Sequence, residues 1–249
     1  MQAVRSATHP SAAGHAVRAL LFDTFGTVVD WRAGIVREVA PFLSRHGISG
    51  RAEDFADGWR ERYQPAMQRV RAGERSFVRL DVIHRENLED LLVAWGAEPG
   101  ELPAGELDDL TRAWHRLDPW PDAIEGLRRL RERFVVAPLS NGNIALLTNM
   151  AKRAGLPWDC ILGAEVVRAY KPDPRAYLDT AEVLGLAPSE CMMVAAHNDD
   201  LAAAASVGLR TAFVRRPTEH GPTQATDLEP TGAWDHVVSD FVELAASLR

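Results

Sequence analysis

The sequence is poor in the features that mark disulfide-rich, zinc-binding or membrane-spanning proteins. Its two cysteines, Cys160 and Cys191, both lie in apolar runs, which is typical of buried thiols rather than of a disulfide framework. No Cys-x-x-Cys motif or Cys/His cluster occurs, so we expect no structural zinc site. No run of about 18 apolar residues occurs either, so no membrane-spanning helix is predicted.

Positive charge is also scarce. The chain carries 28 Lys and Arg against 35 Asp and Glu, for a net charge of −7, whereas nucleic acids and anionic lipid surfaces recruit basic faces. We therefore expect neither a nucleic-acid nor a membrane partner. Residues 1–16 lack the apolar centre of a signal peptide. They are predicted to be a mobile tail on an intracellular, cytoplasmic protein.

The remaining composition is that of a globular protein of one or two domains, with 249 residues of which 46% are hydrophobic. Short apolar runs predict strands at 17–22, 133–139, 160–167, 191–196, 211–214 and, at an edge, 236–238. Helical patterns fill the gaps at about 122–132, 143–155, 174–185 and 198–208, with Asn143 and Asn198 as expected caps. Alternating strands and helices predict an α/β fold with a Rossmann-like parallel sheet and helices on both faces.

Residues 33–115 break this alternation. They contain helical patterns, such as Phe55, Trp59 and Tyr63 on one face, and no convincing strand. We therefore predict an α/β core domain over 17–32 and 116–249 that is interrupted, after its first strand, by an inserted α-helical cap domain over 33–115.

Polar residues follow four of the predicted strands, at the sheet edge where α/β proteins bind ligands. They are Asp23 to Thr27, Ser140 to Asn143, Lys171, and His197 to Asp200. Each set has a structural interpretation when taken alone: an Asx turn, a helix cap, a solvated lysine and an acidic helix start. Together, at one edge of one sheet, they are much more specific.

Four stretches resemble the haloacid dehalogenase superfamily, and within it the type II (L-2-haloacid) dehalogenases. They are Leu21–Thr27, Leu139–Asn143, Tyr170–Tyr177 and Val194–Leu201, and the resemblance spans roughly 17–245. The superfamily's phosphatases have a second Asp where this chain has Phe25, and a magnesium-binding acid where it has Ala196. Because a halide leaves as a stable anion, its displacement needs neither a proton donor nor a metal, so these replacements favour the dehalogenase branch and predict no cofactor.

The resemblance implies that Asp23 attacks the halogen-bearing carbon of a short 2-haloacid and forms an aspartyl ester. Water then attacks the ester carboxyl carbon, which gives a 2-hydroxy acid of inverted configuration and a halide. Lys171 is expected to keep Asp23 ionised, Thr27 to hydrogen-bond its carboxylate, and Asp200 to orient Lys171 or to activate the water.

Further residues match substrate-binding positions of the family. Ser140 and Asn141 are expected to hold the substrate carboxylate, Arg60 to act as the donor from the cap, and Phe25, Tyr177 and Asn198 to complete the pocket. Tyr63 and Phe77 are candidates for a halide wall or, equally, for the cap core.

Three departures from the family pattern leave details open. His197 replaces an Asn and is either an acid–base group for the hydrolytic water or a hydrogen-bonding spacer. Ala195 and Ala196 replace small hydroxyl residues, and Asp199 stands where an aromatic pocket residue can occur. The alternatives are a magnesium-dependent phosphatase or phosphonatase of the same superfamily, and a non-enzymatic binding protein. The resemblance also implies a homodimer.

Overall fold

The computed structural model describes residues 16–248, so the predicted tail, except for its last residue, lies outside the described part of the chain. In chain order the elements are β1 (Ala19–Phe22), β2 (Val29–Asp30), α1 (Trp31–Arg45), α2 (Ala52–Glu61), α3 (Tyr63–Arg71), α4 (Leu80–Ala94), α5 (Ala104–Thr111), β3 (Asp118–Pro119), α6 (Ala123–Arg131), β4 (Val135–Ser140), α7 (Ile144–Ala154), β5 (Leu162–Gly163), α8 (Ala164–Val167), α9 (Pro174–Val183), β6 (Cys191–Ala195), α10 (Asn198–Ser206), β7 (Arg210–Val214), β8 (His236–Val238) and α11 (Phe241–Ser247).

Six of these strands form one sheet in the order β5-β4-β1-β6-β7-β8, and every neighbouring pair is parallel. The predicted parallel α/β fold is therefore confirmed. Along β1, Leu20 and Phe22 pack on the face that carries α6, α7 and α11, while Leu21 packs on the opposite face against α9 and α10. The central strand is buried on both faces, which explains its continuous apolar sequence.

Helices α1 to α5 lie between the short strands β2 and β3, which pair with each other in antiparallel fashion. Their buried side chains, among them Phe55, Trp59 and Leu88, join the core cluster that lies on one face of the sheet. The helical character of the predicted insert is therefore observed. Its first helix begins at Trp31, two residues before the predicted bound of 33, and a short 3-10 helix over Arg112–His115 ends at the predicted bound of 115. Among residues 16–248, no helix is both long and apolar enough to cross a bilayer.

Two local predictions were wrong. The apolar run at 160–167 forms an edge strand of two residues, paired with Leu139 and Ser140, and then turns into α8. The end of this run therefore packs as a helical turn, in which Val167 is buried. The N-cap of α10 is His197, and Asn198 is the first helical residue.

Candidate active site

A cavity of about 800 Å³ lies where the carboxyl edge of the sheet faces the insert. β1 ends at Phe22, so Asp23 emerges directly into this edge, and its backbone N–H still donates to the carbonyl of Val194 in β6. The cavity is lined by Asp23 and Lys171 from the core and by Arg60 and Tyr63 from the insert. The topology therefore brings together residues from distant parts of the sequence, as the sheet-edge argument predicts.

Asp23 is 7% exposed, and its two carboxylate oxygens have different partners. Oδ1 accepts a hydrogen bond from Lys171 Nζ at 2.9 Å. Oδ2 accepts one from Thr27 Oγ1 at 2.7 Å and lies 3.2 Å from His197 Nδ1. Burial alone would raise the pKa of Asp23, but the two neighbouring cations outweigh it and hold the pKa well below its usual value. The carboxylate is therefore ionised and ready to act as a nucleophile.

Lys171 lies between two carboxylates. Besides Asp23, its Nζ donates to Asp200 Oδ2, and Asp200 Oδ1 accepts a hydrogen bond from Tyr177 Oη at 2.6 Å. Burial lowers the pKa of Lys171, yet the two carboxylates raise it above its usual value. The pKa of Asp200 is raised by burial and by repulsion from Asp23, despite its contact with Lys171. A carboxylate with a raised pKa accepts protons more readily, which suits Asp200 for general-base work.

His197 connects Asp23 to a second buried carboxylate. Its Nε2 lies 2.9 Å and 3.1 Å from the two carboxylate oxygens of Glu219, which is 1% exposed. Trp31 Nε1 also donates to Glu219 Oε1, at 3.0 Å. Burial raises the pKa of Glu219, but His197 outweighs it and lowers the pKa overall. The site thus contains a continuous Asp23–His197–Glu219 chain.

Arg60 forms the roof of the cavity. Its guanidinium lies over the rings of Tyr63, Trp31 and Phe25, at 4.2, 5.4 and 5.8 Å from their centroids. Among residues 16–248, nothing accepts a hydrogen bond from its buried Nη1 atom. Arg60 as a whole is half-buried, but a buried donor without an acceptor is costly unless an anion binds to it, so Arg60 is suited to receive an anionic ligand.

The motif after β4 is also placed at the site, in part by backbone contacts. Asn141 lines the cavity, its Oδ1 accepts a hydrogen bond from the Lys171 backbone N–H at 2.8 Å, and its side chain also hydrogen-bonds Tyr63. Ser140, also predicted to hold the substrate carboxylate, is buried and is not among the cavity-lining residues, and its Oγ accepts a hydrogen bond from the Gly142 N–H. Thr27 lies behind Asp23, where its Oγ1 also accepts from the Ala196 N–H at 2.9 Å.

Two further candidates, Asn198 and Phe77, also lie outside the cavity lining. The Asn198 side chain faces the loop after β7, donating to Asp227 Oδ1 and the Glu229 carbonyl and accepting from Thr231 N–H and Trp234 Nε1. With its hydrogen bonds used in this way, it braces that loop and is not among the cavity-lining residues. Phe77 is half-buried and packs on Tyr170 and under Arg168, so it joins the insert to the α/β core and does not line the cavity, whereas Tyr63 does.

Sequence analysis missed Glu219 and Trp31. Glu219 lies in the long loop after β7, with no motif around it. The one available signal is its position after a strand of the same sheet. Gly26 has a φ of +89°, and a Cβ atom there would lie 2.0 Å from Glu219 Oε1, so the glycine of the first motif makes room for this carboxylate.

Two apolar residues stand where acidic metal ligands are expected in phosphatases. Phe25 is 2% exposed and packs edge-on against Trp114 and Tyr63, and Ala196 is also buried. Across residues 16–248, no group of three or more His, Cys, Asp or Glu side chains is arranged to hold a metal ion. The donor set at this edge therefore does not fit a magnesium ion, which takes several oxygen ligands.

Comparison with known proteins agrees with this site. The family model for haloacid dehalogenase-like hydrolases matches residues 17–208. An (S)-2-haloacid dehalogenase of Xanthobacter autotrophicus is 32% identical over 202 residues, which span 80% of this chain and 76% of the relative.

Solved structures give the same result. A defluorinating L-2-haloacid dehalogenase superposes with a TM-score of 0.92 at 56% identity, covering 94% of this chain and 95% of the other. Another L-2-haloacid dehalogenase superposes with a TM-score of 0.89 at 43% identity, covering 94% and 99%. The chain therefore belongs to the haloacid dehalogenase-like hydrolases, in the branch of the L-2-haloacid dehalogenases.

Proposed function

We propose that this protein is an (S)-2-haloacid dehalogenase that converts short L-2-haloacids into D-2-hydroxy acids through an ester on Asp23. The observation that carries this proposal is the ionised Asp23 carboxylate at the base of a cavity whose roof is Arg60, a cation with a buried Nη1 atom that has no hydrogen-bond partner among residues 16–248. A nucleophile and an anion-binding group that line the same cavity suit a substrate that carries both a carboxylate and a leaving group.

The first step is displacement. An Asp23 oxygen attacks C2 of the substrate from the side opposite the halogen, the carbon–halogen electron pair leaves with the halide, and the configuration at C2 inverts. Lys171 keeps the nucleophile ionised beside an anionic substrate, because it places a cation 2.9 Å from Oδ1.

The second step is hydrolysis of the ester. Water attacks Cγ of Asp23, so the oxygen of the new hydroxyl group comes from the enzyme and the water oxygen stays in Asp23. Asp200 is the candidate base, because its pKa is raised and Lys171 joins it to the nucleophile. Tyr177 holds Asp200 in place from its other oxygen.

Substrate binding is assigned to side chains of the roof and the sheet edge. Arg60 attracts the departing halide or the carboxylate, and the Asn141 side chain, which lines the same cavity, contacts the substrate carboxylate. Phe25 and Tyr63 form an apolar, aromatic wall around the reacting carbon. We extend the proposed substrates to haloacetates, including fluoroacetate, because the relative that is 56% identical is described as defluorinating.

Halide release tests the activity. L-2-chloropropionate, its D-enantiomer and fluoroacetate are each incubated with and without EDTA, beside a generic phosphate ester with magnesium. We expect EDTA-resistant release from the L-enantiomer. Release of phosphate alone, dependent on magnesium, would instead support the phosphatase alternative, and silence in every reaction would support a binding protein.

Isotope labelling tests the ester. After turnover of L-2-chloropropionate in heavy-oxygen water, mass spectrometry of the Asp23 peptide is expected to show the label in the Asp23 carboxylate. Label found in the hydroxy acid after a single turnover, with none in Asp23, would remove Asp23 as nucleophile. The Asp23→Asn variant serves as the matched control for exchange that is unrelated to catalysis.

Three further proposals have separate grounds. The family resemblance implies a homodimer, the two cysteines in apolar runs favour a cytoplasmic location, and the helical patterns over 33–115 favour a cap domain that is distinct from the core. Sedimentation equilibrium tests the first, and fractionation of the source cells the second. Limited proteolysis tests the third, since the short β2–β3 pair that frames the insert is the expected boundary.

A further inference from the structure

Both ring nitrogens of His197 face carboxylate oxygens. Nδ1 lies 3.2 Å from Asp23 Oδ2, and Nε2 lies 2.9 Å from Glu219 Oε2. A neutral imidazole has one N–H and one lone pair, so one of these contacts would place a lone pair against a carboxylate. The doubly protonated ring donates to both, and this is the form that the geometry fits.

The charges around the ring favour the same form. Burial lowers the pKa of His197, but Glu219 and Asp23 outweigh it and raise the pKa well above its usual value. Other charged or titratable groups also face Glu219. The exposed His220 has its Nε2 atom 3.6 Å from Glu219 Oε1, and Arg60 and the Asp30 carboxylate also interact with Glu219 electrostatically.

On the nucleophile side, Lys171 is shared between Asp23 and Asp200. His197 therefore supplies the second positive charge that Asp23 receives and the principal one that Glu219 receives. A ring that is already protonated at both nitrogens cannot take a proton from water, so these contacts do not fit a general base.

The two oxygens of Asp23 are held differently, and this difference assigns their roles. Within the described residues, Oδ2 has two donors, Thr27 and His197, whereas Oδ1 has Lys171 alone. An oxygen with fewer donors keeps a free lone pair, so Oδ1 is the atom that attacks the substrate. Oδ2 then becomes the carbonyl oxygen of the ester.

We infer that His197 is an electrophile in ester hydrolysis: with Thr27, its N–H forms an oxyanion hole for Oδ2, and Glu219 is the positioning residue that keeps it protonated. This inference rests on the proposed function, because it concerns the breakdown of the Asp23 ester. Donors aimed at the oxygen where negative charge develops stabilise the tetrahedral intermediate.

The proton balance closes without any proton transfer to or from His197. Water adds to Cγ, one of its protons passes to Asp200, and the Cγ–Oδ2 π pair moves onto Oδ2. When the carbonyl re-forms, the Cγ–Oδ1 bond breaks and Oδ1 leaves on the hydroxy acid. Lys171 gives that oxygen a proton and regains one from Asp200. The second water proton leaves the Asp23 carboxyl group to solvent, so the net products are hydroxy acid, halide and one proton.

The pH dependence of ester breakdown separates an electrophile from a base. The wild-type enzyme is mixed with L-2-bromopropionate in a single turnover and quenched, and the ester on the Asp23 peptide is followed by mass spectrometry. We expect the decay rate to fall as the pH rises through the pKa of His197, because the cation is lost. In Glu219→Gln this alkaline limb should move down by about 1–3 pH units, the effect of removing an adjacent opposite charge.

If His197 acted as a general base, the pH dependence would be the reverse. The decay would rise with pH through the pKa of His197, and Glu219→Gln would move that acid limb to lower pH; this result would overturn the inference. If the decay rate also rises with pH at the acid side, and that rise stays at the same pH in Glu219→Gln, the titrating group is Asp200. The alkaline limb then still reports on His197. His236→Asn, which alters a histidine on β8 near Ser247, is the control and should leave the profile unchanged.

Two substitutions of His197 keep the test independent of Glu219. His197→Ala should slow ester decay by about 10²–10³-fold, the effect of losing one oxyanion donor. His197→Asn restores an uncharged N–H near Oδ2 and should recover part of that loss. Equal loss in both variants would refute the electrophile role. If no ester forms on Asp23 in the wild type, the proposed function itself fails, which is a different result.

Discussion

Arg60 gives the sharpest test of the site, because its replacement by alanine should lower activity strongly while changing stability little. In the free enzyme its guanidinium is held by three aromatic rings, and the described residues provide no acceptor for its buried Nη1 atom. The substrate anion is therefore the partner for which this arginine is placed.

The expected magnitudes follow from these contacts. Cation–π contacts are worth about 0.5–2 kcal/mol, and a buried polar group without a partner costs about 1–3 kcal/mol. These contributions nearly cancel, so Arg60→Ala should change the free energy of unfolding by no more than about 1 kcal/mol. Catalysis loses a buried charge pair, worth about 2–5 kcal/mol, so kcat/KM should fall by roughly 30- to 5,000-fold.

The assay pairs steady-state halide release with thermal unfolding. Arg62→Ala is the matched control, since Arg62 lies two residues away and donates to the Gly58 carbonyl without lining the cavity. It should retain wild-type kcat/KM. An Arg60→Ala enzyme within threefold of wild type would remove Arg60 from the site. A loss of stability well above 1 kcal/mol with normal activity would mean that the guanidinium is a structural group.

Three further outcomes are expected. Asp23→Asn should abolish halide release while the protein stays folded by circular dichroism, because the change is nearly isosteric; residual steady turnover would contradict the nucleophile assignment. Asn198→Ala should lower the free energy of unfolding by about 1–3 kcal/mol, because it leaves buried groups of the loop after β7 without partners. Its kcat should change by less than about tenfold, and a large loss of kcat at unchanged stability would favour direct substrate binding. The pKa of His197 is raised by folding, so the stability it contributes is fully present below pH 6.5 and is lost as the pH rises through the folded pKa. Urea unfolding of wild type and His197→Asn should therefore show a stability difference that shrinks as the pH rises from 6.5, and a difference that grows would contradict this sign.

The sequence was sufficient for the core architecture because its signals are local. Apolar runs alternate with capped amphipathic helices, which predicts a parallel sheet, and parallel strands bring their carboxyl ends to one edge. Asp23, Asn141, Lys171 and Asp200 could therefore be placed at one site without coordinates. Lys171 and Asp23 are 148 residues apart in the chain, yet they form a hydrogen bond.

Other features depended on packing that leaves no local pattern. The run at 160–167 is as apolar as a strand, but at the sheet edge two residues pair and the remainder closes into a helical turn. Asn198 follows a strand in the expected motif, yet its side chain is used by a loop that arrives from residues 227–234.

Glu219 is the clearest example of a site residue that the sequence did not predict. Its local sequence does not distinguish it from a solvated loop glutamate. Its role follows from the fold, which brings it against the His197 ring although it lies 22 residues later in the chain. The sequence by itself predicted the parallel α/β fold and the position of Asp23 at the edge of the sheet, because apolar runs and helical patterns are local signals. The tertiary structure decided which groups surround His197, because Asp23 and Glu219 come from distant segments that meet at this ring only in the folded protein.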